Sequence, residues 1–437
     1  MAGNVNSVQH SQCIVFVRQR DHATKVPVLL FLNGAGENGD DGYRQISNNF
    51  GVQVWEMRGY FPFLAVAPQC RVEGSWSPGS PDSIRALEAL DRVIEEYGGD
   101  PDRVFLTGVS SGGNGTWMLA AAESGRFAGV IPMCGQGGAD ARRLAEAGVP
   151  VWNFYNERDT ADIVRFNESV RRQLLELGQS PLSTTYDALG HDCWNRGYRT
   201  TALFAWMAEQ SRSRNRARGR FELMRPARLL ESWRVADGEE GEAAGWSADG
   251  EAIVAASSAV TLGDDALVGP GSGWLISDRE SNGIEFHADV WVPAGGEARL
   301  GLSARPSIAS NGTGEGPAIG GEAAARTFRV AVSLVTAELG TGGIVTGGSS
   351  SDDGQWLAPL DSGAQRTIRR DAWNDVRLEL YAGRLSVSIN GWPAAEAVVD
   401  AGGEGSPMRF APALVPCRGG AMSKWRHVRI RSEAERD

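Results

Sequence analysis

The chain has 437 residues, of which 42% are hydrophobic and 22% charged, and its net charge is −11. This length and composition predict a globular protein of two or three domains, and no apolar run reaches the length that spans a bilayer. The acidic balance argues against nucleic acid and anionic membranes as partners.

Residue types that bind metals or form covalent intermediates are scarce. The five cysteines are widely spaced without a C-x-x-C pair, so they predict buried free thiols rather than disulfides or a zinc site. Lysine occurs only at Lys25 and Lys424, which leaves Schiff-base and Ser–Lys mechanisms almost without candidates. None of the five histidines pairs with another at metal-ligand spacing. We therefore expect no metal and no cofactor.

The first residues, MAGNVNSVQHSQC, lack the charged start and apolar core of a signal peptide. The sequence as written therefore predicts a cytoplasmic protein, with secretion left open.

Strand-like and helix-like segments alternate over the first half of the chain. Predicted strands are at residues 14–17, 26–32, 64–67, 104–106, 129–133, 149–154 and 183–186. Predicted helices are at residues 83–97, 114–123, 139–146, 161–177 and 200–210. This alternation predicts an α/β domain over residues 1–212, with a doubly wound, mostly parallel sheet.

The turn after the second predicted strand reads Asn33-Gly34-Ala35-Gly36-Glu37. Small residues here would let backbone N–H groups approach a carbonyl oxygen, so Gly34 and Ala35 are candidate oxyanion-hole donors. A plain glycine turn is the alternative. Residues 37–50 and 69–81 are candidate rims of a site, and Trp76 is a candidate to line a subsite.

A strand, a glycine-flanked serine and a helix follow one another at residues 103–122, with Gly108-Val109-Ser110-Ser111-Gly112 at the centre. This pattern is typical of a nucleophile elbow, in which a tight turn lifts the serine Oγ clear of the sheet. The pattern predicts Ser110 as the nucleophile and the Ser111 N–H as an oxyanion donor. A glycine-rich loop whose serine caps a helix is the alternative.

An acid and a histidine follow the serine in the chain order that this type of sheet uses. Asp159 comes just after a predicted strand, where it could orient an imidazole. Asp162 is a rival acid, although it is better placed to open the next helix. His191 follows the last predicted strand of the domain and is the candidate general base.

The character of the sequence changes after residue 212. Residues 213–222 are arginine-rich and predict a solvated linker, with a nucleic-acid patch as the alternative. Residues 223–437 alternate apolar and polar positions with a period of two, and Asn390-Gly391 predicts a hairpin turn. We expect a β-sandwich, with glycine- and serine-rich loops at residues 307–325 and 340–363.

The first domain resembles the carboxylesterase and "predicted peptidase" branch of the α/β-hydrolase superfamily, close to polyhydroxybutyrate-depolymerase-like and feruloyl-esterase-like enzymes. The matching segments are LLFLNGAGENG, FPFLAVAPQC, DPDRVFLTGVSSGGNGTWMLA, VPVWNFYNERDTADIV and GHDCWNRGY. The resemblance implies a triad of Ser110, Asp159 and His191. The chain departs from it at Asn33, where many relatives carry histidine, and at Tyr155-Asn156, which replaces His-Gly. Asn33 thereby becomes a candidate substrate-binding residue.

The second domain resembles the 3-keto-disaccharide hydrolase domain, a concanavalin-like sandwich. The resemblance lies in GWLISDRESNGIEFHADVWVP, WNDVRLELYAGRLSVSINGWP and WRHVRIR. Polar candidates for a site there are Asp278, Glu280, Glu285 and His287, and a solvated strand face is the simpler interpretation. Tryptophans that could stack on sugar rings, or pack in the core or at an edge, are Trp274, Trp291, Trp373 and Trp392.

These features predict a serine esterase that works through an acyl-enzyme on a small-molecule or oligosaccharide ester. The sandwich suggests an ester linked to a carbohydrate. Three alternatives stay open: a peptidase on the same triad, a carbohydrate-binding protein with an inactive hydrolase domain, and a sandwich that cleaves 3-keto-glycosides.

Overall fold

The chain divides into two compact units, Met1–Arg220 and Phe221–Asp437. The structure is a computed structural model. It describes residues 5–10, 13–18, 25–59, 61–225, 233–235, 246–249, 252–255, 275–277, 280–281, 283–292, 297–305, 328–335, 343–347, 355–399, 409–415 and 423–432. No helix within these ranges is long and apolar enough to cross a membrane.

The first unit is built around one eight-stranded sheet. Its strands are β1 (Val5–His10), β2 (Cys13–Arg18), β3 (Val26–Leu32), β4 (Leu64–Pro68), β5 (Gly99–Val109), β6 (Gly129–Met133), β7 (Trp152–Arg158) and β8 (Leu182–Leu189). The spatial order is β1-β2-β4-β3-β5-β6-β7-β8. Strands β1 and β2 pair antiparallel, and β3 to β8 run parallel. This arrangement confirms the predicted α/β-hydrolase fold.

Eight α-helices belong to the described part of this unit. They are α1 (Asn49–Glu56), α2 (Pro81–Tyr97), α3 (Ser111–Ala122), α4 (Ala141–Glu146), α5 (Ala161–Glu176), α6 (Trp194–Gly197), α7 (Thr201–Glu209) and α8 (Arg212–Ala217). The sequence also explains the ends of α2: Ser80 accepts a hydrogen bond from the Ser83 N–H, and Gly98 adopts a left-handed φ of 69°. The helix α8 lies at the start of the predicted linker, where Ser213 donates to Asp102.

The apolar side chains of β3 are buried on both faces of the sheet. Val28, Leu30 and Leu32 belong to one core cluster. Phe31 points the other way and stacks on Phe50, with 4.6 Å between ring centroids. A strand buried on both sides needs this nearly continuous apolar run. Because β3, β5, β7 and β8 run parallel, their carboxyl ends meet at one edge of the sheet.

The second unit consists of two antiparallel sheets. Its strands are β9 (Glu222–Leu223), β10 (Arg234–Val235), β11 (Trp246–Asp249), β12 (Ala252–Ala255), β13 (Leu275–Ile276), β14 (Ile284–Val292), β15 (Glu297–Arg305), β16 (Phe328–Val335), β17 (Gly343–Gly347), β18 (Gln355–Pro359), β19 (Ala372–Tyr381), β20 (Arg384–Ile389), β21 (Trp392–Val398), β22 (Arg409–Val415) and β23 (Ser423–Ser432), with a short helix α9 (Ser362–Gln365). The orders are β10-β13-β22-β15-β16-β17-β18 and β11-β12-β23-β14-β19-β20-β21, and β9 pairs with β23.

Both sheets contribute side chains to a single core, which makes this unit the predicted sandwich. Phe286 and Leu378 come from one sheet, and Leu300 and Val332 from the other. The hairpin turn predicted at Asn390-Gly391 is confirmed, because both residues have positive φ and Ile389 pairs with Trp392 across it.

One predicted loop is wrong in part. Within residues 340–363 the structure places β17 and β18, and Ile344 is fully buried in the core. Abundant glycine concealed a strand whose apolar residues pack inward. The predicted loop at residues 307–325 lies outside the described residues.

Candidate active site

Ser110 occupies the sharp turn between β5 and α3. Its φ of 55° and ψ of −116° are unusual for a residue with a side chain, and such a conformation costs on the order of 1–3 kcal/mol. Two backbone bonds hold it: the Ser110 N–H donates to the Met133 carbonyl, and the Asn114 N–H donates to the Ser110 carbonyl, each at 2.9 Å.

The two glycines of the motif have no room for a side chain. A Cβ on Gly108 would lie 2.4 Å from the carbonyl oxygen of Gly112. A Cβ on Gly112 would lie 2.0 Å from the carbonyl oxygen of Leu32. The turn is therefore tight because neighbouring backbone fills the space on both sides of Ser110.

The structure brings Ser110, His191 and Asp159 together although they are far apart in sequence. The Ser110 Oγ lies 2.9 Å from His191 Nε2, and His191 Nδ1 lies 2.8 Å from an Asp159 carboxylate oxygen. Since a carboxylate only accepts hydrogen bonds, the compatible tautomer has Nδ1–H donating to Asp159 and Nε2 accepting from the Ser110 hydroxyl.

Solvent reaches the acid and the base of this series of contacts unequally. The Asp159 side chain is 1% exposed, and its other oxygen accepts a bond from the Thr160 N–H at 2.6 Å. The His191 side chain is 38% exposed. The carboxylate is thus fixed in place, while the imidazole is open to a reacting molecule.

Asp162, the rival acid, lies elsewhere. It is in the first turn of α5, its side chain is 77% exposed, and it accepts a bond from Arg165 at 2.6 Å. A carboxylate in the first turn of a helix interacts favourably with the helix dipole. The structure thus brings Asp159 rather than Asp162 to the histidine.

The turn after β3 lies against the nucleophile elbow. Leu32 pairs with Gly108, and a Cβ built on Gly34 would be 3.4 Å from the carbonyl oxygen of Val109. Ala35 begins a short 3₁₀ turn. Ser111 is the first residue of α3, where a helix has no internal acceptor for the N–H. The oxyanion-hole roles of Gly34, Ala35 and Ser111 stay predictions on this geometry.

Asn33 and Trp76 support this turn from inside the protein. The fully buried Asn33 side chain donates to the Gly34 carbonyl at 2.7 Å and accepts from the Cys70 N–H at 3.0 Å. The Trp76 indole, 3% exposed, donates to the Asn33 carbonyl at 2.9 Å. A buried side chain whose polar atoms are already bonded has little surface for a ligand. These positions argue against the predicted contact of Asn33 and Trp76 with a substrate.

Two residues near the histidine were not predicted from the sequence. The Trp194 ring meets the His191 ring edge-on, with 5.5 Å between centroids. The Asn156 side chain donates to the Gly190 carbonyl at 2.8 Å. The departure from His-Gly at Tyr155-Asn156 was the available signal for the second contact.

The polar candidates in the second unit form a buried network, so the predicted solvated strand face is wrong for Glu285 and His287. Each is 2% exposed. Glu285 accepts hydrogen bonds from Arg431 at 2.5 Å and also from the Tyr381 hydroxyl.

The other candidates in this unit have different surroundings. The His287 ring packs on Phe221, with ring centroids 4.6 Å apart. Glu280 is exposed, and Asp278 lies outside the described residues.

The tryptophans of the sandwich have different surroundings. Trp291 and Trp373 meet edge-on at 5.5 Å between ring centroids, and the Arg426 guanidinium lies 4.4 Å from the Trp373 centroid. Trp392 packs against the core. Trp274 lies outside the described residues. Stacking on sugar by these rings stays a prediction.

Two groups in the described part of the chain have side chains close enough to share a cation. In each, the ligand atoms lie within 4.8 Å of one another; the groups are Cys134, Asp159 and His191, and Glu285, His287 and Glu379. The first group includes the Asp159–His191 contact itself. In the second, the Arg431 guanidinium already lies against Glu285, and a positive neighbour disfavours a bound cation.

The two halves of the chain are similar to different known proteins. Residues 226–431 match the family model of the 3-keto-alpha-glucoside-1,2-lyase-like domain. This match confirms the resemblance predicted for the second half of the chain.

Two curated proteins match parts of the chain. The bifunctional acetylxylan esterase/xylanase XynS20E of Neocallimastix patriciarum is 26% identical over 190 residues, which are 42% of this chain and 26% of that protein. Lipase 1 of Yarrowia lipolytica is 28% identical over 115 residues, which are 23% of this chain and 24% of that protein. The chain thus spans about a quarter of the length of these relatives.

Solved structures similar to the chain include a thermostable esterase and a ferulic acid esterase. The first is 26% identical, with a TM-score of 0.42, and the match covers 48% of this chain and 63% of that one. The second is 16% identical, with a TM-score of 0.37, and the match covers 46% of this chain and 94% of that one.

Proposed function

We propose that the first unit is a serine hydrolase that cleaves carboxylic esters through an acyl-enzyme. The observation that carries the proposal is the unbroken series of contacts from Ser110 to His191 to Asp159, at 2.9 and 2.8 Å. These are the distances at which a base can take the proton of a nucleophile and be oriented by an acid.

In the first half of the reaction the Ser110 Oγ attacks the ester carbonyl carbon, and His191 Nε2 takes the hydroxyl proton. The tetrahedral intermediate collapses as the carbon–oxygen bond to the alcohol breaks, and His191 gives its proton to the departing oxygen. In the second half, water attacks the acyl-enzyme with the same base, which releases the acid and restores Ser110.

Asp159 supports both halves without exchanging a proton. Its buried carboxylate holds the Nδ1–H tautomer and stabilises the imidazolium that forms at each proton transfer. The negative oxygen of the tetrahedral intermediate would be bound by backbone N–H groups of Ser111 and of the Gly34–Ala35 turn.

Esters are the favoured substrates because the two curated relatives are named as an esterase and a lipase. A carbohydrate ester is favoured further because residues 226–431 match a domain described by its action on a glucoside. We propose acylated saccharides as the substrate class. Initial rates on acetyl, feruloyl and glucuronoyl saccharide esters, beside a matched anilide, would rank the acyl groups and separate esterase from peptidase.

The test of the hydrolase itself uses Ser110→Ala in the full chain. We expect it to abolish hydrolysis of p-nitrophenyl acetate and labelling by a fluorophosphonate probe. Ser169→Ala on α5 is the matched control and should retain both. Unchanged hydrolysis by folded Ser110→Ala protein would refute the proposal.

A further inference from the structure

The loop that carries His191 is held to the sheet by two cysteines. Cys134 follows β6 and Cys193 lies two residues after His191. Both donate to the carbonyl of Phe154 in β7: Cys134 through its backbone N–H at 2.8 Å, and Cys193 through its thiol at 3.4 Å. The two cysteines therefore meet over one backbone oxygen.

The two cysteines also share a second acceptor, the His191 carbonyl, and there the thiol and backbone donors are exchanged. The Cys134 thiol donates to the His191 carbonyl at 2.8 Å, and the Cys193 N–H donates to that carbonyl at 3.1 Å. Each cysteine thus uses its backbone N–H and its thiol as donors. One of the two donates to the Phe154 carbonyl in the sheet, and the other donates to the His191 carbonyl. We call Cys134, Cys193 and the two shared carbonyls the thiol clasp.

The Cys193 thiol is suited to donate rather than to react. Both side chains are buried. Burial raises the pKa of Cys193 well above its usual value, and the neighbouring Cys134 thiol raises it further. A thiol that stays protonated keeps its S–H donor and is a poor nucleophile.

Backbone conformation gives a second, independent sign. Cys134 has a φ of 49°, in the left-handed region that residues with a side chain seldom adopt. Such strain persists where the surroundings impose it and is concentrated at functional sites. The Asn156 amide, on the Gly190 carbonyl, holds the other side of the same loop.

We propose that Cys134 and Cys193 are positioning residues for the hydrolase reaction: they fix the backbone of His191 so that its ring stays between Ser110 and Asp159. This inference rests on the proposed hydrolase function. It adds to that function because the two thiols donate to the backbone carbonyls of His191 and Phe154, and so act on the position of His191 rather than on the substrate.

The test compares Cys134→Ala and Cys134→Ser in the full chain. Alanine removes the donor, and we expect kcat for p-nitrophenyl acetate to fall about tenfold with KM nearly unchanged. The rate of fluorophosphonate labelling at Ser110 should fall in parallel. Serine keeps a donor of similar size and should restore most of kcat. Loss of mere packing would not be rescued by a hydroxyl, which is more polar than a thiol.

Cys13→Ala is the matched control. Cys13 is also a buried thiol of the first unit, in β2, and burial raises its pKa to about 12. We expect kcat of this variant to stay at the wild-type value. Urea unfolding of all variants shows whether a change in kcat reflects unfolding.

The two substitutions should not be additive, because both thiols serve one clasp. The double variant Cys134→Ala/Cys193→Ala should lower kcat little more than the more damaging of the two single variants, Cys134→Ala and Cys193→Ala. The inference is overturned if Cys134→Ala matches Cys13→Ala, if serine gives no rescue, or if the two effects multiply. None of these results would refute the hydrolase proposal. That proposal is refuted only if folded Ser110→Ala protein still hydrolyses the ester.

Discussion

Ser110 reaches its position because two neighbours lack a side chain. A Cβ added at Gly108 or Gly112 would meet backbone atoms rather than flexible side chains. Backbone cannot move aside as the end of a long side chain can, so an added methyl group has to distort the turn itself.

We therefore predict that Gly112→Ala destabilises the first unit by about 3 kcal/mol, at the upper end of overpacking costs. Gly59→Ala is the control, since a Cβ at Gly59 would meet nothing within 4 Å, and it should change stability by less than about 0.5 kcal/mol. Urea unfolding of both variants makes the comparison. Equal stabilities would contradict the contacts at Gly112.

Two acids only three residues apart give a second test at this scale. Asp159→Asn removes the acceptor that selects the histidine tautomer, so kcat should fall by about 10³–10⁴. Asp162→Asn changes an exposed carboxylate and should keep kcat at the wild-type value. Steady-state rates on p-nitrophenyl acetate decide, and the reverse pattern would move the acid to Asp162.

At the scale of elements, β14, β19 and β23 bury charge on the face opposite the core. The Asp375 carboxylate accepts from Arg377 at 2.6 Å and from the buried Arg429 at 2.5 Å. Burial acts to raise the pKa of Asp375, but the charges of Arg377 and Arg429 outweigh it and lower that pKa. A group with a lowered pKa stabilises the folded state above its unfolded pKa of about 3.9.

Asp375→Asn should therefore destabilise the second unit by about 3 kcal/mol at pH 7, because Arg429 loses its main partner. The difference from wild type should shrink as the pH falls below about 4, because the unfolded wild-type chain then takes up a proton at Asp375 while the folded protein, in which that pKa is lowered, does so only at a lower pH. Urea unfolding at pH 7 and pH 3, with proteolysis to identify the second unit's transition, measures it.

Glu396→Gln is the control for that experiment. Glu396 pairs with Arg384 in the same sheet, but both side chains are 64% exposed, so the change should cost less than about 1 kcal/mol at either pH. A difference between Asp375→Asn and wild type that is the same at both pH values would show that charge is not the cause.

The same strands show how far the sequence could predict this protein. Alternation placed Glu285 and His287 on one face of β14 because side-chain direction has a period of two. It could not reveal that this face is buried, since burial depends on Arg431, Tyr381 and Phe221, which are distant in sequence. Asp159 and His191 were predictable because each follows a strand end. The thiol clasp was not, because it joins the end of β6, the interior of β7 at Phe154 and the loop after β8.

At the scale of the whole molecule, each unit has its own core, and Ser110, Asp159 and His191 all lie in Met1–Arg220. We predict that cleavage at a protease site inserted after Gly219 leaves kcat for p-nitrophenyl acetate within about twofold of the uncleaved protein. The same protein before cleavage is the control. Loss of activity on cleavage would show that hydrolysis needs the second unit.

The nucleophile elbow also separates shape from chemistry. The two flanking glycines and the surrounding backbone fix the position of the γ atom of residue 110. None of these constraints requires that atom to be oxygen. The same scaffold could hold sulfur in that place, as in Ser110→Cys, and the intermediate would then be a thioester. A thioester reacts readily with amines, so the elbow offers a starting point for an enzyme that builds amides rather than one that hydrolyses esters.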